Sequence, residues 1–183
     1  MTTTISPVRT VPQTPEPPEL GIDPHRLLGL LRRHATTVTV VTAPGGAGLP
    51  PAGFTATSFT SVSLRPQLVS FCLDRDSTSW PAVERARHVA IHLLAAGQQQ
   101  VARTFATKGI DRFADDTIWT PGAYGMPLLR GVLATLVCEV AARVPAGDHA
   151  IVLGRPVLAH HGDGEPLLYH DGGYRRLDQE ESA

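Results

Sequence analysis

Cysteine pairs are missing from this sequence: Cys72 and Cys138 stand alone, each inside an apolar, strand-like run, with no CxxC spacing. The sequence therefore predicts buried free thiols in a reducing cytoplasm rather than a disulfide framework. An excess of either charge is missing too. Sixteen Lys and Arg against seventeen Asp and Glu leave a net charge of -1, so no global field recruits nucleic acid or an anionic membrane. No apolar run approaches the ~20 residues of a membrane span, and the N-terminus lacks the apolar core of a secretory signal. Eight histidines are present, but they are scattered apart from the adjacent His160 and His161. No HExxH or His/Cys ligand spacing occurs, so no metal is expected. There is also no GxSxG, no phosphate-binding Walker loop and no GxGxxG after a strand. An enzyme built this way leaves the difficult chemistry to a cofactor. What is present, 42% hydrophobic and 18% charged residues over 183 positions, fits one domain with a proper core.

Residues 1–21 are rich in proline and poor in apolar side chains, and read as a disordered tail. Order is expected over 22–178, with 179–183 a short C-terminal tail. Asp23 and Pro24 form a helix start, and Leu27, Leu28, Leu30 and Leu31 give that helix a face to pack on something. The β-branched run 37–43 predicts a strand, closed by the turn-rich PGGAGLPP at 44–51. Residues 52–63, AGFTATSFTSVS, are read as the second strand of a hairpin. Thr55, Thr57, Phe59 and Ser61 would lie on one face, and Phe54, Ala56, Ser58, Thr60 and Val62 on the other. Such a strand buries little apolar area but offers hydroxyls and backbone donors to a flat, polar-edged ligand. A corner at 64–66 leads to a buried third strand, 68–73. Three successive strands without a helix between them indicate an antiparallel barrel or sandwich.

Ser77, Thr78 and Ser79 precede a helix at 80–87. Ordinary capping is the commoner role for serines there, and a phosphate site is the alternative. A strand at 88–94 and a helix at 98–107, with Val101, Ala102 and Phe105 inward, end at the stop signal Lys108-Gly109. Residues 110–130 read as a long ordered loop. Strands at 132–144 and 150–159 and the short apolar 166–169 complete some seven strands and three helices, a mainly β fold with helices at the edge of a barrel. Asp115 and Asp116 read as a solvated loop, and Trp80 as a core anchor.

Five segments together carry a resemblance: GFTATSFTSVSLRPQLVSFCL at 53–73, STSW at 77–80, FATKGIDRF at 105–113, GDH at 147–149 and PLLYHDGGYRRL at 166–177. In order and spacing they are similar to the flavin reductase family of short-chain flavoproteins, over about 26–177. The resemblance implies a homodimeric FMN-binding split barrel, Greek-key-like and antiparallel. It further implies use of NADH or NADPH to reduce FMN or FAD, commonly as the reductase component of a two-component monooxygenase. By the same resemblance, Thr55, Ala56, Thr57 and Ser58 line the isoalloxazine edge. Ser77, Thr78 and Ser79 lie near the ribityl chain and phosphate, where Lys108 adds a cation. His149 lies beside the nicotinamide, and Tyr174 belongs to a C-terminal motif that closes over the site.

Hydride transfer between stacked rings needs no protein nucleophile, so His149 is assigned to orienting the nicotinamide; a half-solvated histidine at a strand start is the plain alternative. Three positions depart from the family pattern: Arg65 in place of a common acidic residue, His92 in place of a common asparagine, and Pro156, which implies a strand edge or bulge. A non-catalytic flavin-binding module, and an FMN-dependent oxidoreductase acting directly on a biosynthetic substrate, remain alternative readings.

Overall fold

The computed structural model describes residues 21–46 and 48–177. The tails expected at 1–21 and 179–183 lie, apart from Gly21, outside them. In chain order the elements are α1 (Pro24–Leu31), β1 (Thr36–Thr37), β2 (Thr39–Ala43), β3 (Ala52–Ala56), β4 (Thr60–Leu64), β5 (Gln67–Asp74), α2 (Trp80–Arg85) and β6 (His88–Leu93). There follow α3 (Gln99–Ala106), β7 (Trp119–Pro121), β8 (Pro127–Leu129), β9 (Ala134–Ala146), β10 (His149–His161), β11 (Leu168–His170) and β12 (Gly173–Arg175). The fold is mainly β and antiparallel, as the sequence indicates.

Seven strands form one sheet in the order β3-β2-β6-β9-β10-β5-β4. Its two outermost strands, β3 and β4, are consecutive in the chain. The step from Ala56 to Thr60 spans at most about 14 Å, whereas six flat inter-strand spacings of about 4.8 Å would separate those edges by about 29 Å. The sheet must therefore curl until its edges meet. Ser58 ties the seam: its Oγ accepts from the Cys72 N–H at 2.9 Å and lies 3.4 Å from the Cys72 carbonyl, linking the exit of β3 to β5.

Inside the curl, Val41, Phe71, Val89, Ile91 and Val152 are fully buried, with half-buried Trp80 packed against their cluster. A second cluster, Val38, Val40, Leu94, Ala102, Phe105, Leu129 and Leu167, lies under α3. Here Ala102 and Phe105 are buried and Val101 half-buried, as the helical spacing predicts.

Several expectations are corrected. The stretch 52–63 is two strands, not one: residues 57–59 leave the ladder because the chain must cross the seam. The strand expected at 37–43 divides at Val38, whose N–H donates to the Leu167 carbonyl while its own carbonyl accepts from the Leu94 N–H; β1 then joins β11 and β12 in a small separate sheet. The expected loop 110–130 contains the β7-β8 hairpin, with Tyr124 at positive φ in the turn between the two strands. Twelve strands rather than seven are present among the described residues. Helix α1 has its Asp23 cap, with Oδ1 accepting from the Arg26 N–H at 3.0 Å, but its four leucines are exposed rather than packed. Cys138 is buried and its thiol is pushed up to about 12 by burial, whereas Cys72 is only half-buried. Pro156 behaves as expected: it lies beyond the β5 pairing, next to a register shift against β9.

Candidate functional site

A cleft of about 380 Å³ opens on the seam where β3 and β5 meet. Thr55, Ala56, Thr57 and Ser58 line it from the exit of β3, Ser77 from the approach to α2, Lys108 from the segment after α3, and His149 from the start of β10. Four segments far apart in the chain converge there. The volume falls within the roughly 300–1,000 Å³ of small-molecule sites.

Hydroxyls that sequence reasoning assigned to a ligand are partly committed to the fold. Thr55 Oγ1 donates to the Ala102 carbonyl at 2.6 Å, pinning β3 to α3, and Ser58 Oγ holds the seam. Ser79 is buried at the N-cap position of α2, but its side chain makes no capping bond. Its Oγ donates to the Gly53 carbonyl at 3.0 Å and accepts from Arg112 Nη1 at 3.1 Å. Ser77 Oγ accepts from the Ser79 N–H at 3.3 Å. The hydroxyl of Ser79 thus braces the site from behind. Ser79→Ala is expected to lower unfolding free energy by about 1–2 kcal/mol, because it strips one partner from a buried carbonyl and one from a guanidinium; urea unfolding reads this, and an unchanged midpoint contradicts it.

Sequence reasoning missed Arg112, although it lies within the FATKGIDRF segment. Its Nε and Nη2 donate to the Thr107 carbonyl at 3.0 and 2.8 Å, and Nη1 reaches Gly53 and Ser79. Partial burial lowers its pKa. Among the described residues, neither Arg112 nor Lys108, the chain's one lysine, has an acidic partner. Two cations beside one cleft, neither held in an ion pair although Asp74 also lines the cleft, suit an anionic ligand.

At the start of β10, the turn at Gly147, with φ of +63°, brings Asp148 back onto His149. His149 Nδ1 lies 2.6 Å from Asp148 Oδ1. The histidine holds the Asp148 carboxyl below its ordinary range. With Nδ1 turned to Asp148, Nε2 is the ring nitrogen left for a ligand. Arg75 steadies the turn, its Nη2 donating to the Gly147 carbonyl at 2.7 Å and its N–H to the Asp148 carbonyl at 3.1 Å.

Three of the expected residues, Thr78, Ser79 and Tyr174, do not line this cleft. Thr78 lines a neighbouring one with Ser79. Tyr174 lies on the small sheet, in a separate cleft, edge-on to Tyr169 and 6.0 Å from the Arg103 guanidinium carbon. Burial raises its phenol pKa.

His92, a departure from the family pattern, is fully buried. Its Nε2 lies 3.2 Å from Thr42 Oγ1, and its Nδ1 lies 3.1 Å from Thr135 Oγ1. Thr42 Oγ1 already donates to the Pro127 carbonyl at 2.8 Å, so the ring donates from Nε2 and accepts at Nδ1. Burial pushes its pKa down to about 3.

Comparison with known proteins gives a consistent picture. Residues 31–178 match the model of the flavin reductase like domain. An NADH:FMN oxidoreductase of Rhodococcus erythropolis is 41% identical over 176 residues, covering 89% of this chain and 91% of the relative. The reductase subunit HsaB of a flavin-dependent monooxygenase from Rhodococcus jostii is 34% identical, covering 89% and 83%. The crystal structure of a Streptomyces globisporus NADH:FAD oxidoreductase, in complex with NAD and FAD fragments, superposes with a TM-score of 0.80 at 36% identity, covering 87% of this chain and 96% of that one. With a family match over most of its length, the chain belongs to the flavin reductase like domain family.

Proposed function

We propose that the protein is an NAD(P)H:flavin oxidoreductase that takes FMN or FAD into the seam cleft and supplies reduced flavin to a partner monooxygenase. The observation that carries this reading is the convergence of Thr55 to Ser58, Ser77, Lys108 and His149 on one cleft, where Lys108 and Arg112 are free of ion pairs among the described residues. Family membership and the activities named for its relatives support it.

When bound, flavin accepts the hydride that NADH or NADPH donates; everything else is positioning by the chain. With Thr55 and Ser58 tied to neighbouring backbone, the exit of β3 is a rigid edge that offers main-chain groups rather than mobile hydroxyls to the ring system. Negative charge that develops on a reduced flavin is stabilised by fixed donors of this kind. Lys108, with Arg112 behind it, attracts the phosphate. His149, held through Nδ1 by Asp148, lines the same cleft and orients the nicotinamide through Nε2. Tyr174 reaches no part of this cleft within its own chain and is given no role in it.

A homodimer is part of the proposal. Leu64, Val157 and Leu158 are exposed along β4 and β10 in an apolar groove of about 350 Å³, a surface suited to a second copy. The free thiols Cys72 and Cys138 support a reducing, cytoplasmic setting.

The test is to mix the protein with NADH or NADPH and FMN or FAD and follow nicotinamide absorbance. Flavin-dependent oxidation is expected. Tight flavin binding without oxidation by either donor supports the non-catalytic carrier instead. In the same assay His149→Ala should raise the Michaelis constant for the nucleotide about tenfold and more than it weakens flavin binding; the reverse pattern contradicts the role given to His149.

A further inference from the structure

The turn that carries His149 stands at the tip of the β9-β10 hairpin, past the support of its neighbours. The ladder between β6 and β9 stops at Glu139, so residues Ala142 to Ala146 pair with β10 alone. On the other side the ladder between β10 and β5 ends at the pair of His149 and Asp74. Gly147 and Asp148 project beyond that last pair. The contact between Asp148 and His149 does not fix the ring unaided, since the Asp148 side chain is 84% exposed and water competes for its carboxylate. Arg75, the residue that follows β5, supplies the missing anchor. Resting on the function proposed above, we propose that Arg75 is a positioning residue for the nicotinamide: it fixes the Gly147-Asp148 turn and, through Asp148, the ring of His149.

Three observations support this. First, Arg75 holds both residues of the turn. Its Nη2 donates to the Gly147 carbonyl at 2.7 Å and its N–H to the Asp148 carbonyl at 3.1 Å. Those carbonyls belong to the two planar peptide units on either side of Asp148. With both planes held, the backbone of Asp148 cannot rotate, and the direction in which its side chain leaves the turn is set. The guanidinium bond is charge-assisted, and so the stronger of the two. Second, that side chain is the one that reaches His149, with Oδ1 2.6 Å from Nδ1. Arg75 also helps, after His149 itself, to hold the Asp148 carboxyl below its ordinary range, which keeps it an acceptor. Third, Arg75 is exposed and does not line the seam cleft. Its influence on a ligand there passes through the turn.

The test places Arg75→Ala in the unaltered protein and in the His149→Ala variant. Steady-state kinetics with the nicotinamide donor and FMN are measured for all four proteins, and FMN binding by calorimetry. Because Arg75 is exposed, its truncation leaves no cavity; Arg75→Gln serves where alanine prevents folding. In the unaltered background the Michaelis constant for the nucleotide should rise about fivefold, with kcat and the FMN dissociation constant each changed less than about twofold. In the His149→Ala background the same substitution should add nothing, because a residue that acts through another loses its effect once the other is gone. An equal rise in both backgrounds overturns the proposal, since Arg75 would then act on the nucleotide without His149. Equal weakening of nucleotide and FMN overturns it too, as the mark of a general loosening. If the Michaelis constant does not move while the unaltered protein oxidises the nucleotide, the functional reading stands and only Arg75 loses its role. Should the unaltered protein oxidise neither NADH nor NADPH, both fall.

Discussion

Gly53→Ala is expected to cost about 2–3 kcal/mol of stability and to weaken flavin binding together with it, although the change adds one methyl group. A Cβ at position 53 would meet Phe105 Cε1 at 2.6 Å, Phe105 Cδ1 at 2.8 Å and Phe113 Cζ at 3.2 Å. The nearer ring, Phe105, has nowhere to go. Phe105 is fully buried and packs edge-on to Phe113 at 5.3 Å, and Phe113 packs edge-on to Trp119 at 5.6 Å. Overpacking of a closed aromatic stack forces backbone shifts of this cost. The backbone that must shift carries the Gly53 carbonyl, which holds both Ser79 and Arg112, and is followed directly by the residues on the cleft edge. Stability and affinity should therefore fall in one variant, as read by urea unfolding and flavin titration. Full stability in Gly53→Ala contradicts the packing described for β3 and α3.

The second large effect concerns acid. His92 is neutral in the folded protein, with its pKa at about 3 against an ordinary value of 6.5. The unfolded chain takes up a proton at His92 as pH falls through 6.5, and the native state does not. Stability from this site is therefore complete above pH 6.5 and is lost progressively between 6.5 and about 3. The loss is about 1.4 kcal/mol per pH unit, which reaches about 2 kcal/mol at pH 5. His92→Gln keeps hydrogen-bonding groups for Thr42 and Thr135 but does not titrate. Between pH 7 and pH 5 the wild-type unfolding free energy should fall by about 2 kcal/mol more than that of the variant. Equal pH dependence in the two proteins contradicts the buried neutral histidine.

Much of the β architecture was legible because its signals are local. The β-branched 37–43 run, the apolar 68–73 run and the Asp23-Pro24 helix start act through neighbouring residues. The break at 57–59 was not legible, because nothing in TSF opposes a strand; the break follows from β3 and β4 occupying opposite edges of a closing sheet. Val38 divides its strand for a similar reason, bonding to Leu167 and Leu94 in different parts of the chain. For the site, residue identities were more legible than roles. Thr55, Ser58 and Ser79 surround the clefts as the motifs suggest, yet their hydroxyls are directed to Ala102, Cys72 and Gly53 by contacts that sequence spacing does not carry. Arg112 escaped notice because its four bonds go to Gly53, Ser79 and Thr107, and only the fold brings the first two beside it. The exposed leucines of α1 fit a helical spacing that described the helix correctly but not what covers it.

The central claim is that a phosphorylated flavin lies at the barrel seam beside Lys108. Because the chain contains one lysine, an amine-reactive label followed by mass spectrometry reads that position alone, with the N-terminal amine as internal control. Saturating FMN should slow labelling of Lys108 several-fold and leave the N-terminal amine unaffected. Equal labelling of Lys108 with and without FMN, in protein that binds FMN, would place the flavin elsewhere and contradict the account.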